Sequence, residues 1–216
     1  MKLGNVMIFG DSYSTFTGAV PQGFRVYYSG VRESGPDLKS AEELWWHRLL
    51  SETGATLIQN NSYSGSTVCN TGYNGDCSQT TSFIARINKL STAGFFKENS
   101  VDTVLILGGT NDSWANAPIG EIQLENFEKQ DLFSVLPGFC FFLSRVKEEM
   151  PNATLAVIVN TELKPEIAEG IKTAARHYGA LTVELSDIEK QSGHPTSRGM
   201  EQIKEQVLAK LSQELA

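Results

Sequence analysis

The sequence predicts an α/β fold: a three-layer α/β/α sandwich around a five-stranded parallel sheet. Three observations predict it. Short apolar runs alternate along the 216 residues with segments whose apolar side chains recur every three or four positions. The best of these runs, residues 101–107 and 153–159, are continuous and rich in β-branched residues, the pattern of strands covered on both faces. No repeat, low-complexity tract or linker breaks the alternation, so residues 1–216 read as one domain.

The first strand is Val6-Met7-Ile8-Phe9, closed by Gly10. Residues 10–39 follow, a long stretch rich in Gly, Ser, Tyr and Pro; loops of that length inside a domain are usually functional. Ser40-Ala41-Glu42-Glu43 fits a capping box with Ser40 at the N-cap. The helix it opens carries Leu44, Trp45, Leu49 and Leu50 and stops at Gly54. Residues 56–58 form a short second strand. Phe83, Ile84, Ile87 and Leu90 share one helical face. Residues 101–107 form the third strand, ending at Gly108-Gly109. Residues 139–150 form a helix closed by Pro151, and residues 153–159 the fourth strand. Ile167, Ile171, Ala174 and Tyr178 mark another helix, residues 181–185 the fifth strand. Met200, Ile203, Val207, Leu211 and Leu215 mark an amphipathic last helix.

Composition excludes several functions. Asp plus Glu is 25 against 18 Lys plus Arg, a net charge of −7 without a basic stripe. Nucleic acid and anionic membrane surfaces are therefore not expected partners. No apolar run approaches the ~20 residues that cross a bilayer. The first residues lack the apolar core of a signal peptide, so a cytoplasmic location is expected unless a leader has been trimmed. There is no Cys-x-x-Cys or zinc-type spacing, and no metal is expected. Cys69 and Cys77 flank a Gly/Asn-rich loop; a disulfide in an oxidising compartment and two free thiols both remain open.

Ligands of open parallel sheets bind beyond the carboxyl ends of the strands. Four such positions carry chemistry here. Gly10-Asp11-Ser12 follows the first strand, and Asn60-Asn61-Ser62-Tyr63-Ser64-Gly65 the second. Gly109-Thr110-Asn111-Asp112 follows the third, and His194-Pro195 comes after the fifth. A serine hydroxyl becomes a nucleophile when an imidazole accepts its proton. An oxyanion needs N–H donors aimed at the developing charge. The Ser12 and Gly65 backbone N–H groups and the Asn111 amide supply three.

In this order the blocks resemble the SGNH hydrolase superfamily, the GDSL-type esterases and lipases. The resemblance extends over nearly the whole chain and implies a flavodoxin-like sheet. It implies Ser12 as nucleophile, His194 as general base, and Ser12, Gly65 and Asn111 as the oxyanion hole. The implied reaction is hydrolysis of a small-molecule carboxylic ester through an acyl-Ser12 intermediate, with no cofactor. Two positions depart from the family pattern. Tyr13 replaces the Leu of Gly-Asp-Ser-Leu. Gln191 stands where the family places the Asp three residues before the histidine. Gln191 is the candidate third catalytic member, its Oε1 accepting from His194 Nδ1 without bringing charge. Asp187, Glu189 and a backbone carbonyl are the other acceptors within reach in sequence. Tyr13, Tyr63 and Tyr73 are expected to contact substrate, with Tyr27, Tyr28 and Asn74 on the cleft rim. Aromatic and amide side chains there suit a small acyl group carried on a sugar or another polar alcohol.

Two other readings compete. Gln191 is compatible with a retired binding module that keeps the cleft. The hydroxyls of Ser12, Ser14, Thr15 and Thr17, with Gly18, are compatible with the phosphate loop of an FMN carrier. His47, beside Trp45-Trp46, and His177, near a helix end, read as structural.

Overall fold

The computed structural model describes residues 2–31 and 33–214. Five parallel strands form the central sheet: β1 (Asn5–Gly10), β2 (Thr56–Ser62), β5 (Thr103–Leu107), β6 (Thr154–Val159) and β7 (Leu181–Glu184). Their order across the sheet is β2-β1-β5-β6-β7. Two small antiparallel hairpins lie outside it, β3 (Thr71–Gly72) with β4 (Gly75–Asp76) and β8 (Lys190–Gln191) with β9 (His194–Pro195). The helices are α1 (Trp45–Thr53), α2 (Phe83–Thr92), α3 (Phe95–Glu98), α4 (Thr110–Trp114), α5 (Val135–Glu149), α6 (Pro165–His177) and α7 (Ser197–Glu214).

The three layers follow from side-chain alternation along buried strands. Met7, Phe9, Val104, Ile106, Leu155 and Val157 face a layer that includes Phe83, Phe139, Phe142, Ile167 and Ile171 of α2, α5 and α6. Val6, Ile8, Leu105, Leu107, Ala156 and Ile158 face Trp45, Leu49, Met200, Ile203 and Val207 of α1 and α7. Both sides are apolar, which is why these strands read as continuous hydrophobic runs. The expected Leu215 of the last helix lies outside the described residues.

Several elements depart from expectation. The Ser40 hydroxyl makes no capping bond; it precedes a short 3₁₀ turn, Ala41–Glu43, and the Glu43 carboxylate accepts the Lys39 N–H instead. Leu44 is extended, so α1 starts at Trp45, four residues after Ala41, the first position of the expected helix. The second strand runs on through Gln59-Asn60-Asn61-Ser62. Its end is polar because those side chains bond neighbouring loops: Asn60 Nδ2 donates to the Ser14 and Ala19 carbonyls. The fifth helix begins at Val135, not residue 139, with Pro137 tolerated in its first turn.

The chain steps from β1 outward to β2, then returns past β1 to β5. The carboxyl ends of β1 and β5 therefore flank the point where strand order reverses, the preferred ligand crevice of such sheets.

Candidate active site

Each functional candidate sits on a short element beyond a strand end. Ser12 opens a 3₁₀ turn, Ser12–Ser14, directly after β1. Asp11 caps it, its Oδ1 accepting the Tyr13 N–H at 3.0 Å. The turn Tyr63-Ser64-Gly65-Ser66 follows β2 and is closed by Ser66 N–H donating to the Tyr63 carbonyl at 3.1 Å. Gly65 has φ +84°, the left-handed value required at the third place of a type II turn. Asn111 lies in the first turn of α4, beyond β5.

His194 arrives on the β8–β9 hairpin, where it pairs with Gln191. The two linking residues, Ser192 (φ +50°) and Gly193 (φ +77°), both adopt left-handed backbone, the signature of a type I′ turn. Two buried tyrosines hold the hairpin. The Tyr13 hydroxyl donates to the Gly193 carbonyl at 2.5 Å and the Tyr28 hydroxyl to the Pro195 carbonyl at 2.7 Å.

This scaffold brings His194 Nε2 to 3.0 Å from Ser12 Oγ across 182 positions of sequence. His194 Nδ1 lies 3.3 Å from the Ser192 carbonyl oxygen. A carbonyl only accepts, so the proton belongs on Nδ1, and Nε2 presents a lone pair to the Ser12 hydroxyl. The ring is enclosed by aromatics. Tyr27 stacks on it at 3.5 Å with 4° between planes, and the Trp114 ring lies 5.7 Å away.

Ser12, Gly65, Asn111 and His194 line one cleft of about 620 Å³. Asn111 Nδ2 donates to the Ser66 carbonyl at 3.0 Å, and its Oδ1 accepts from the Tyr73 hydroxyl at 3.0 Å. A primary amide has two N–H bonds, so one remains for a ligand. Tyr63 and Tyr73 line the cleft.

Other expectations need correction. The Gln191 side chain is exposed, and the acceptor found at Nδ1 is a backbone carbonyl, because the tight turn folds the Ser192 carbonyl beneath the imidazole. Tyr13 is fully buried and its hydroxyl is committed to Gly193, so it supports the histidine hairpin and does not line the cleft. Tyr28 is likewise buried rather than on the rim. Two hydroxyls of the hydroxyl-rich loop are already engaged within the protein. Ser14 Oγ accepts from Trp45 Nε1, and Thr15 Oγ1 bonds the Ser12 carbonyl and the Tyr27 N–H. Cys69 and Cys77 are buried free thiols. Among the described residues no cluster fits a metal ion, and no helix is long and apolar enough to cross a membrane.

Beneath the cleft lies a polar network that sequence reasoning missed. Arg86 of α2 is buried and donates to the Gly10 carbonyl at 3.2 Å, Ser66 Oγ at 3.1 Å and the Asn61 backbone and side-chain oxygens. One guanidinium thus ties the ends of β1 and β2 to the Gly65 turn. Burial lowers its pKa to about 9, opposed by the nearby Asp11 charge. The available signal was positional: Arg86 stands three residues after Phe83, on the stripe that α2 buries. Burial likewise pushes the Asp11 carboxyl up to about 7, only partly offset by the Tyr13 N–H, and its Oδ2 has no hydrogen-bond partner. Asp112 accepts the Val68 and Cys69 N–H groups at 2.9 to 3.1 Å, a structural role. Trp114 was also missed; it stands three residues after Asn111, on the same short helix.

Comparison with known proteins shows the family and the fold. A family model described as GDSL-like Lipase/Acylhydrolase matches residues 4–211. A candidate GDSL-like lipase from Bacteroides uniformis is 44% identical, with 97% of this chain and 96% of that one covered and a TM-score of 0.88. Another, from Bacteroides ovatus, is 37% identical over 99% of this chain and 100% of that one, with a TM-score of 0.90. An acetyl xylan esterase from the rumen bacterium Butyrivibrio proteoclasticus shares the fold at 16% identity, with a TM-score of 0.63 over 100% of this chain and 64% of that one. No curated protein matches the chain.

Proposed function

Because the chain belongs to the GDSL-like lipase/acylhydrolase family, we propose that it hydrolyses carboxylic esters through an acyl-Ser12 intermediate. The substrate we infer is a small acyl group on a carbohydrate or similar polar alcohol. The observation that carries the reading is the 3.0 Å contact of Ser12 Oγ with an imidazole whose far nitrogen is already engaged.

The steps follow from that contact. Ser12 Oγ bonds to the ester carbonyl carbon as its proton passes to His194 Nε2. The carbonyl oxygen becomes an oxyanion, met by the Ser12 and Gly65 N–H groups and the spare N–H of Asn111. The carbon–oxygen bond to the alcohol breaks and the imidazolium returns its proton to the departing oxygen. Water then attacks the acyl-serine, His194 takes its proton, and the acid leaves as Ser12 regains its hydrogen. The Ser192 carbonyl dipole orients the imidazolium, and the stacked Tyr27 ring offers a π face to the transient cation.

The substrate class rests on the polar, tyrosine-lined cleft and on the shared fold of the acetyl xylan esterase. Turnover of p-nitrophenyl esters of increasing chain length tests it. Activity should be highest for acetate and fall for long chains, and Ser12→Ala should remove it. A maximum at long acyl chains would overturn the substrate assignment.

A further inference from the structure

Arg25 also reaches into the cleft. Its Nη1 lies 3.8 Å from where a Cβ on Gly65 would stand, beside the backbone turn assigned to the oxyanion. Among the described residues it forms no ion pair. Asp76, the acidic side chain of the same cleft, is turned toward its own loop and accepts the Ser78 N–H at 2.8 Å.

We propose that Arg25 binds a carboxylate of the substrate, so that the ester cleaved at Ser12 carries an anionic group close to its scissile carbonyl. The inference rests on the acyl-hydrolase reading of Ser12 and narrows its substrate. Three features support it. A guanidinium presents paired N–H donors in a planar fork that matches a carboxylate, and charge-assisted pairs of this kind are stronger than neutral hydrogen bonds. The Arg25 backbone is fixed to the site, because its carbonyl accepts the Ser64 N–H at 2.9 Å. Carboxylate and carbonyl would therefore be held in register by one turn, residues 63–66. Finally, a chain of net charge −7 repels anions in general, so a local cation in the cleft that holds the proposed nucleophile gives selection that the overall charge does not. An O-acylated acidic sugar has both the polar alcohol and the carboxylate.

Calorimetric titration of the Ser12→Ala protein tests this without turnover. One ligand pair, 3-acetoxybenzoate and the neutral 3-acetoxybenzamide, places the charge on the alcohol side. A second pair, phenyl hemisuccinate and phenyl succinamate, places it on the acyl side. In at least one pair the anion should bind about 10-fold tighter or more, the increment of a charge-assisted pair. Adding Arg25→Gln should abolish the preference, and Arg25→Lys should keep part of it. Equal affinities in both pairs, no anion binding, or a preference that survives Arg25→Gln overturns the proposal. Turnover of the neutral esters by the Ser12 protein is scored separately. Hydrolysis without charge preference removes Arg25 from recognition and leaves the acyl-hydrolase reading standing. Anion preference without hydrolysis of any of the four esters does the reverse.

Discussion

Asp11 separates what a residue's neighbours in sequence reveal from what its surroundings in space impose. Gly10-Asp11-Ser12 is visible in the chain, and so is the chemistry that Ser12 suggests. That Asp11 is completely buried, with one oxygen capping the Ser12 turn and the other unpartnered, is not visible, because the groups around it come from distant segments. Its carboxyl is raised from 3.8 to about 7 by burial. The folded state therefore holds the proton more tightly than the unfolded chain. The associated stability is fully present below about pH 4 and is lost as pH rises through about 7. Asp11→Asn keeps the acceptor for Tyr13 N–H and carries no charge. Urea unfolding should show the variant gaining on the native protein as pH rises from about 4 to 7, by roughly 4 kcal/mol in total, at ~1.4 kcal/mol per unit of pKa. A pH-independent difference would show that the carboxyl is not held neutral. The same limit explains why Tyr13 read as a substrate contact. A tyrosine beside the nucleophile candidate looks like a pocket residue until its hydroxyl is seen bonded to Gly193, 180 positions away.

Elements were legible where burial was two-sided and illegible where a polar tether set their course. The runs of β1, β5 and β6 are apolar because helices cover both faces, so their periodicity announces them. The polar end of β2 and the two-residue strands of the hairpins have no such pattern. The β8–β9 hairpin matters most, since it delivers His194. Its Ser192-Gly193 turn needs left-handed backbone at both positions, and only Gly193 advertises that in the sequence. Once the turn forms, the acceptor for Nδ1 is its own main chain, which no side-chain reading of the Gln191 position could locate. Gln191→Ala should therefore leave kcat for acetyl ester hydrolysis within about threefold of native. A loss on the order of 10⁴, the scale of removing the orienting acid from a serine triad, would return Gln191 to the catalytic group.

For the whole molecule, the informative fact is where the strand order reverses. The carboxyl ends of β1 and β5 flank that reversal, and the candidate site collects there from four segments separated by up to 182 positions. The order of Ser12, Gly65, Asn111 and His194 in the chain pointed to the family before any coordinates, because the fold constrains which strand end carries which group. Arg86, Arg25 and Trp114 lay outside that pattern and needed the fold to place them. The central claim is that Ser12 is a nucleophile activated by His194, and covalent labelling tests it most directly. A fluorophosphonate probe should modify the native protein at one site, mapped by mass spectrometry to Ser12. Labelling should vanish in Ser12→Ala and slow by about 10²–10⁴ in a folded His194→Ala variant, the usual contribution of a general base. Native protein that is folded yet stays unlabelled at Ser12, or a rate indifferent to the loss of His194, would contradict the account.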